Sequence, residues 1–384
     1  MKKITGLILT VVLMLSVISV SAYAKELPDM KVDINAKSAV LMEASTGEVL
    51  MSKNAHEKVY PASVTKIMSL LLVTEAIDQG KIALTDVVTA SAEASKMGGS
   101  QIWLKQGEQM TVDDLLKATA IASANDACFA LGEYVAGSDT AFVKMMNDRA
   151  KELGMNDTVF ENCSGLDDTV QNHITSAYDV AVMSRELLKH ERIRNYTTVW
   201  MDTLRGGETQ LVNTNKLIRF YKGATGLKTG TTSKAGCCVS ATAERDGLSL
   251  IAVVMGSESS NDRFSGARAM LDWGFANYSL AELSVDPALI TDVNIIGGEQ
   301  DKISPQITEK KFAVIEKGKE DKITLVPDLA IDVEAPIEKN QVLGTVSFML
   351  EDKEIGKINL CSPEAVKKLT FPDYLVRFLT SLCR

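Results

Sequence analysis

A serine and a lysine open an apolar stretch at residues 60–73, which read YPASVTKIMSLLLV. The spacing of Ser63 and Lys66 places both on one face of a helix, so that the lysine can reach the serine hydroxyl. A serine becomes a nucleophile only beside a base, and a lysine can be that base where burial and a second cation lower its pKa. The free N–H groups of a helix start can bind an oxyanion. The alternative is that Ser63 only caps the helix.

Two further short elements follow in the chain. Ser123-Ala124-Asn125 lies between two helical patterns, and it is the only one of three Ser-x-Asn triplets between the first element and the third. Lys228-Thr229-Gly230 precedes a predicted hairpin, which places it on a strand. A cation, a hydroxyl and a residue without a side chain suit a strand edge that receives a substrate carboxylate. Both elements also have a purely structural interpretation: a helix cap for Ser123-Ala124-Asn125 and a solvated turn for Lys228-Thr229-Gly230.

The composition narrows the class of protein. The 384 residues suggest two or three domains. Hydrophobic residues make up 46% and charged residues 24%, which excludes a disordered chain, a collagen-like repeat and a polytopic membrane protein. The net charge of −9 argues against a nucleic-acid partner. Three histidines, at positions 56, 173 and 190, lie far apart, which argues against a zinc peptidase, and we expect no metal site.

Residues 1–24 have the pattern of a signal peptide. Lys2 and Lys3 precede an uncharged apolar run at residues 4–20, and Ala22-Tyr23-Ala24 forms a small-x-small cleavage site. We therefore expect an exported, extracytoplasmic protein, with an uncleaved N-terminal anchor as the alternative. Six cysteines follow without framework or zinc spacing, so we expect no disulfide framework.

Patterns along residues 25–280 predict a catalytic domain of the α/β class. Hairpins are predicted at residues 39–53 and 236–256, and helices at 63–77, 112–121, 125–135, 139–153, 176–189 and 262–277. Hairpins at both ends with helices between them indicate one antiparallel sheet covered by helices. Residues 281–361 hold short alternating runs, such as 329–333 and 346–350, and indicate a small all-β sandwich domain.

The three elements in this order are the signature of penicillin-binding proteins and serine β-lactamases. The chain resembles low-molecular-weight penicillin-binding proteins that are serine-type D-alanyl-D-alanine carboxypeptidases, and it is close to the variants of endospore-forming bacteria. The matching stretches are residues 62–68, 97–101, 121–127, 175–179 and 226–230. The resemblance covers almost the whole chain and implies a penicillin-binding protein/β-lactamase-like fold.

The resemblance also implies a role for each site residue. Ser63 would be the acylated nucleophile, Lys66 its proton acceptor and Ser123 a relay of a proton to the leaving amine. The implied substrate-binding residues are Asn125 for the amide side of the peptide, Lys228, Thr229 and Gly230 for the terminal carboxylate, Thr231 with Ser63 for the oxyanion hole, and Arg263 as support of the carboxylate site. For Arg263 the alternative is a surface arginine.

The implied reaction removes the terminal D-alanine from the peptidoglycan pentapeptide stem through an acyl-enzyme, without a cofactor, and β-lactam antibiotics would acylate the same serine. A class A β-lactamase has a loop glutamate followed by asparagine four residues on, but Glu161 has Gly165 at that position. An endopeptidase of this family usually has a large insertion between the first two motifs, which only residues 67–122 separate here. A penicillin sensor would need a second apolar run of about 20 residues, which the sequence lacks.

Residues 362–384 have the pattern of an amphipathic tail. Pro372 can begin a helix, on which five apolar residues between positions 374 and 382 share one face. Basic residues at positions 367, 368, 377 and 384 favour anionic headgroups. We expect a helix that lies on the outer face of the cytoplasmic membrane, with packing on the all-β domain as the alternative.

Overall fold

The computed structural model describes residues 27–168 and 170–382. The predicted signal peptide lies outside the described residues. The α-helices are Lys66–Asp78 (α1), Val112–Ile121 (α2), Asn125–Ala136 (α3), Asp139–Glu152 (α4), Ala177–Leu188 (α5), Arg194–Thr197 (α6), Leu217–Phe220 (α7), Ser260–Asn277 (α8) and Phe371–Leu382 (α9). Short 3₁₀ turns cover Ala62–Thr65, Ala94–Lys96, Glu191–Ile193, Arg205–Gly207, Pro287–Leu289 and Glu320–Lys322.

The strands fall into a first group before α8 and a second group after it. The first group is Ser38–Glu43 (β1), Val49–Lys53 (β2), Val87–Thr89 (β3), Gln109–Thr111 (β4), Met201–Leu204 (β5), Thr209–Val212 (β6), Ala224–Thr232 (β7), Gly236–Arg245 (β8) and Leu248–Ser257 (β9). The second group is Tyr278–Leu283 (β10), Val293–Ile296 (β11), Lys302–Ile303 (β12), Gln306–Ile307 (β13), Lys311–Glu316 (β14), Ile323–Leu329 (β15), Asp332–Glu334 (β16), Val342–Leu350 (β17) and Lys353–Cys361 (β18).

Five strands of the first group form one antiparallel sheet in the order β2-β1-β9-β8-β7. Alternate side chains of β1 enter two different cores. Val40 and Met42 pack with the helices of the larger core, whereas Ala39 and Leu41 pack under α8. The sheet is therefore covered on both faces, and the predicted helix-covered antiparallel sheet is confirmed.

Helix α1 is the centre of the larger core. Ten of its 13 residues are buried, so the helix needs neighbours on every side, and it contacts α2, α3, α4 and α5. The predicted helix over residues 63–77 is present, but its first turn is the 3₁₀ turn Ala62–Thr65. Ser63 therefore lies in the tight turn and Lys66 begins the α-helix, at the end of α1 that faces β7.

The second group of strands forms the β-rich C-terminal domain that the sequence predicts. Its sheets have the orders β10-β14, β12-β11-β16 and β13-β18-β17-β15, and they enclose two small cores, around Phe348 and around Val293. The prediction of one strand at residues 329–333 is wrong. Residue 329 is the last of β15 and residue 332 is the first of β16. The two strands belong to different sheets, and Ile331 between them is 78% exposed.

Contacts cross both of the expected limits of this domain. Strand β10 crosses the limit between residues 280 and 281, and Val314 of its partner β14 packs in the core under α8. Val366 is buried and pairs with Ile337, so the chain beyond residue 361 is still part of the domain. Helix α9 begins at Phe371. Within residues 27–168 and 170–382, no helix combines the length and the apolar character that crossing a membrane requires.

Candidate active site

The turn that contains Ser63 lies against the edge strand β7. A Cβ atom on Gly230 would lie 2.8 Å from the Pro61 carbonyl oxygen and 2.9 Å from the Ser63 nitrogen. Only a residue without a side chain permits this approach, because both neighbours are backbone atoms. The structure thus brings the first and third sequence elements together, with the Lys-Thr-Gly strand directly beside the serine.

Lys66 connects the serine to two other segments. Its Nζ donates to Ser63 Oγ at 2.9 Å, to Asn125 Oδ1 at 2.5 Å and to the Ser164 carbonyl at 2.8 Å. The lysine is fully buried, and it has no carboxylate partner among the ion pairs of the described residues. Burial lowers the pKa of Lys66 to about 8. A lysine with such a pKa can accept a proton from a serine near neutral pH.

Lys228 is the second buried cation of the site. Its Nζ donates to the Thr229 carbonyl at 3.1 Å, and the residue is 1% exposed. Burial first, and then the charges of Lys66 and Arg263, hold the pKa of Lys228 well below its usual range. Burial is the main cause of the lowered pKa of both lysines, and the repulsion between the two ammonium groups disfavours charging both at once.

Asn125 joins the second element to the site. Besides accepting from Lys66, it donates through Nδ2 to the Gly98 carbonyl at 2.6 Å. Ser123 is 4% exposed and has a φ of 63°, a left-handed conformation that is uncommon for serine. Its position directly before α3 places both motif residues at the start of one helix. The predicted Ser-x-Asn element therefore lies at the site, and the two other Ser-x-Asn triplets do not contact Lys66.

The remaining predicted residues either belong to β7 or contact it. Thr229 Oγ1 donates to Thr214 Oγ1 at 2.7 Å. Thr231 is exposed, and its hydroxyl accepts from Arg263 Nη1 at 2.8 Å. The same Nη1 donates to the Gly230 carbonyl at 2.9 Å, and Arg263 is only 7% exposed. A surface arginine is therefore the wrong alternative, since Arg263 supports the strand that carries the third motif.

Three contacts of the site were not predicted from the sequence. Ser164 contributes its main-chain carbonyl to Lys66, and Thr214 contacts Thr229. His173 is buried and contacts Thr65, next to the lysine. Every residue has a main-chain carbonyl, so the amino-acid type at position 164 does not reveal that this carbonyl accepts from Lys66. The only sequence signal near Ser164 is Gly165, whose Cβ would lie 1.8 Å from the Ala62 carbonyl oxygen.

Comparison with known proteins identifies the family. The family model described as D-alanyl-D-alanine carboxypeptidase matches residues 22–259, and the model of the penicillin-binding protein 5 C-terminal domain matches residues 281–368. The chain is 40% identical to D-alanyl-D-alanine carboxypeptidase DacF of Bacillus subtilis over 98% of both chains. The chain belongs to the D-alanyl-D-alanine carboxypeptidase family.

Relatives and solved structures agree with this assignment. D-alanyl-D-alanine carboxypeptidase DacC of Escherichia coli is 32% identical over 91% of this chain and 88% of that protein. Penicillin binding protein 5 of Haemophilus influenzae is 30% identical and superposes with a TM-score of 0.79 over 88% of this chain and 99% of that chain. Penicillin-Binding Protein D2 of Listeria monocytogenes, solved in an ampicillin-bound form, is 31% identical, with a TM-score of 0.59 over 64% of this chain and 100% of that chain. The predicted fold and the serine-type D-alanyl-D-alanine carboxypeptidase class are confirmed.

Proposed function

We propose that this carboxypeptidase removes the terminal D-alanine of the peptidoglycan pentapeptide stem through an ester on Ser63. Ser63 Oγ attacks the carbonyl carbon of the scissile D-alanyl-D-alanine bond while Lys66 takes its proton. The proton then reaches the leaving amine through Ser123, D-alanine departs, and water hydrolyses the ester. The 2.9 Å contact between Lys66 Nζ and Ser63 Oγ carries this proposal, because a neutral lysine at that distance can act as the base.

The backbone beside Ser63 supports an oxyanion hole. The close approach of Gly230 to the Ser63 nitrogen brings the next residue, Thr231, near the same point. We assign the backbone N–H groups of Ser63 and Thr231 to the developing oxyanion. Donors fixed in place before the reaction stabilise such a charge without reorganisation, and this is typically one of the largest catalytic effects.

Lys228, Thr229 and Arg263 support recognition of the terminal carboxylate. An unpaired buried ammonium is unfavourable, and an incoming carboxylate would compensate its charge. Lys228 has no carboxylate partner among the ion pairs within the described residues, and Arg263 fixes the strand from behind. We therefore expect the enzyme to prefer peptides with a free C-terminal carboxylate over amidated peptides.

Penicillin labelling tests the nucleophile. The full mass of penicillin should add to one peptide that contains Ser63, and Ser63→Ala should lose both this adduct and the release of D-alanine from diacetyl-Lys-D-Ala-D-Ala. Ser69→Ala is the matched control, because Ser69 lies on α1, directly after the turn that holds Ser63, and donates to the Cys163 carbonyl, outside the proposed chemistry. Labelling that persists in Ser63→Ala would contradict the assignment.

The β-lactamase alternative finds no support in the loop that holds Glu161. The Glu161 carboxylate accepts hydrogen bonds from the backbone of Gln171 and Asn172. It makes no hydrogen bond to Ser63 or Lys66. Because this carboxylate is occupied within its own loop, we expect the penicilloyl ester to be hydrolysed slowly, so that β-lactams act as inhibitors.

We further propose that the enzyme is exported and that α9 rests on the outer face of the cytoplasmic membrane. The apolar side chains of this helix are between 49% and 81% exposed, namely Phe371, Tyr374, Leu375, Val376, Phe378 and Leu379. Arg377 donates to Asp301 at 2.8 Å, so a polar contact joins the helix to the β-rich domain, while Phe371, Leu375 and Val376 are at least 50% exposed. An amphipathic helix of this kind binds at a membrane interface.

A truncation tests this tail, and it must end at Thr370, because Val366 and Leu369 still contact the β-rich domain. In a flotation assay with anionic vesicles, the truncated enzyme should stay with the soluble fraction and still release D-alanine from a soluble peptide. The double variant Leu375→Asp, Leu379→Asp should behave in the same way. Ile331→Asp is the control, since Ile331 is 78% exposed, more than Leu375 or Leu379, but lies outside α9. Flotation of the truncated enzyme would contradict the proposal.

A further inference from the structure

The loop between α4 and α5 approaches the nucleophile turn from behind. The Ser164 carbonyl accepts from Lys66, and Gly165 lies so close to the Ala62 carbonyl that any Cβ would overlap with it. The same Cβ would lie 2.8 Å from Thr65 Oγ1. One loop therefore contacts residues on both sides of Ser63.

His173 joins two parts of this loop through a hydrogen bond with Glu161, and this bond defines its tautomer. The Glu161 backbone N–H donates to His173 Nδ1 at 2.9 Å, so Nδ1 must carry a lone pair. Burial lowers the pKa of His173 to about 4, and the carboxylates of Glu161 and Asp167 oppose this shift only in part. The ring is thus neutral at neutral pH, and its proton is on Nε2.

The Nε2 proton points at the nucleophile turn. His173 Nε2 lies 2.8 Å from Thr65 Oγ1, and with Nδ1 occupied as an acceptor, Nε2 is the donor. The ring is fully buried and packs edge-on against Phe160 at 5.8 Å, which fixes its orientation. Thr65 is the last residue of the turn that presents Ser63 and directly precedes Lys66.

We propose that His173 is a positioning residue for acylation: its Nε2–H bond to Thr65 holds the Ser-x-x-Lys turn in the geometry in which Ser63 meets Lys66. This inference rests on the proposed roles of Ser63 and Lys66. His173 does not touch the reacting atoms and transfers no proton. It acts through Thr65, while Ser164 of the same loop acts on Lys66, so the loop fixes the nucleophile and its base relative to each other.

Two substitutions separate the two hydrogen bonds of the ring. In His173→Gln the amide nitrogen overlies Nε2 and can still donate to Thr65. In His173→Asn the amide oxygen overlies Nδ1 and can still accept from Glu161. Each variant keeps one bond, so both should have similar melting temperatures. We expect His173→Asn to lower the rate constant of acylation by penicillin about tenfold, the effect of one ordinary hydrogen bond, and His173→Gln to stay within about threefold of the wild type.

A third variant connects the effect to Thr65. Thr65→Val keeps the side-chain shape without the acceptor and should lower acylation by about the same factor. In the Thr65→Val background, His173→Asn should cause no further loss. His190→Gln is the control, because His190 lies outside this loop and bonds to Asp78, at the other end of α1 from Lys66. Equal losses in the Asn and Gln variants, or full activity of Thr65→Val, would overturn the inference. Failure of the proposed function would instead appear as unchanged labelling in Ser63→Ala.

Discussion

The rate of acylation should follow the protonation of Lys66. Only the neutral amine can accept the serine proton, and burial lowers the pKa of Lys66 to about 8. Acylation should therefore slow roughly tenfold for each pH unit below about 8 and level off above it. The acylation rate should rise with pH, because Lys66 loses its proton and can then act as the base.

Asn125→Asp should move this pH profile. The Asn125 Oδ1 atom is 2.5 Å from Lys66 Nζ, so the substitution places a negative charge in contact with the ammonium. An opposite charge at such a distance raises a lysine pKa by roughly 1–3 pH units. With a shift of about two pH units, the neutral fraction at about pH 7.5 falls from roughly a quarter to about 0.3%. Acylation at that pH should become about 75-fold slower and should recover as the pH is raised.

Stopped-flow measurement with a fluorescent penicillin gives the acylation constant at each pH. Asn156→Asp is the control, because Asn156 is exposed and its substitution introduces the same negative charge away from the site. The midpoint of the profile is the decisive quantity, since Asn125→Asp also loses the donor to Gly98 and can lower the plateau. A flat wild-type profile, or a lowered plateau with an unmoved midpoint, would refute Lys66 as the base.

Two further predictions concern β7. Gly230→Ala would place a Cβ 2.8 Å from the Pro61 carbonyl oxygen, so the strand must move away from the serine, and we expect acylation to fall about a hundredfold, measured with the same penicillin. Lys228→Met should raise KM for peptides with a free carboxylate without changing the poor cleavage of amidated peptides. Because burial lowers the pKa of Lys228, its charge destabilises the fold below that pKa, and the penalty fades as pH rises toward 10.5. Lys228→Met should therefore raise the free energy of unfolding near pH 7, and this gain should shrink with rising pH in denaturant titrations.

The strongly patterned elements could be predicted from the sequence. The apolar residues after Lys66, the hairpin at residues 236–256 and the helices between them fix the sheet and its cover, because each has a clear period and turn residues at its ends. The prediction for residues 329–333 failed because the alternate residues do not share one face: Leu329 and Val333 pack against a core, whereas Ile331 between them is 78% exposed. Alternation alone does not show where a strand ends when two short sheets meet.

The site could be predicted only in part. The three motifs lie in one place because side-chain chemistry is visible in a sequence. The contact of Ser164 with Lys66 joins residues 98 positions apart through a main-chain carbonyl, and the contact of His173 with Thr65 joins residues 108 positions apart. No local pattern encodes such pairs. Arg263 could be predicted in part. The sequence suggested a role for it at the site, but only its burial in the structure excludes a surface arginine.

The nucleophile turn is held by close packing and not by its own preference. Ala62 has a φ of 48°, in the left-handed region, where a residue with a side chain loses roughly 1–3 kcal/mol. Gly165 covers its carbonyl from one side, and Gly230 covers the neighbouring backbone of Ser63 from the other. These glycines come from different elements, so the conformation of the turn exists only once the loop and β7 are both in place. The geometry between Ser63 and its base is therefore a property of the folded domain, and a change in either glycine should impair acylation without altering any reacting group.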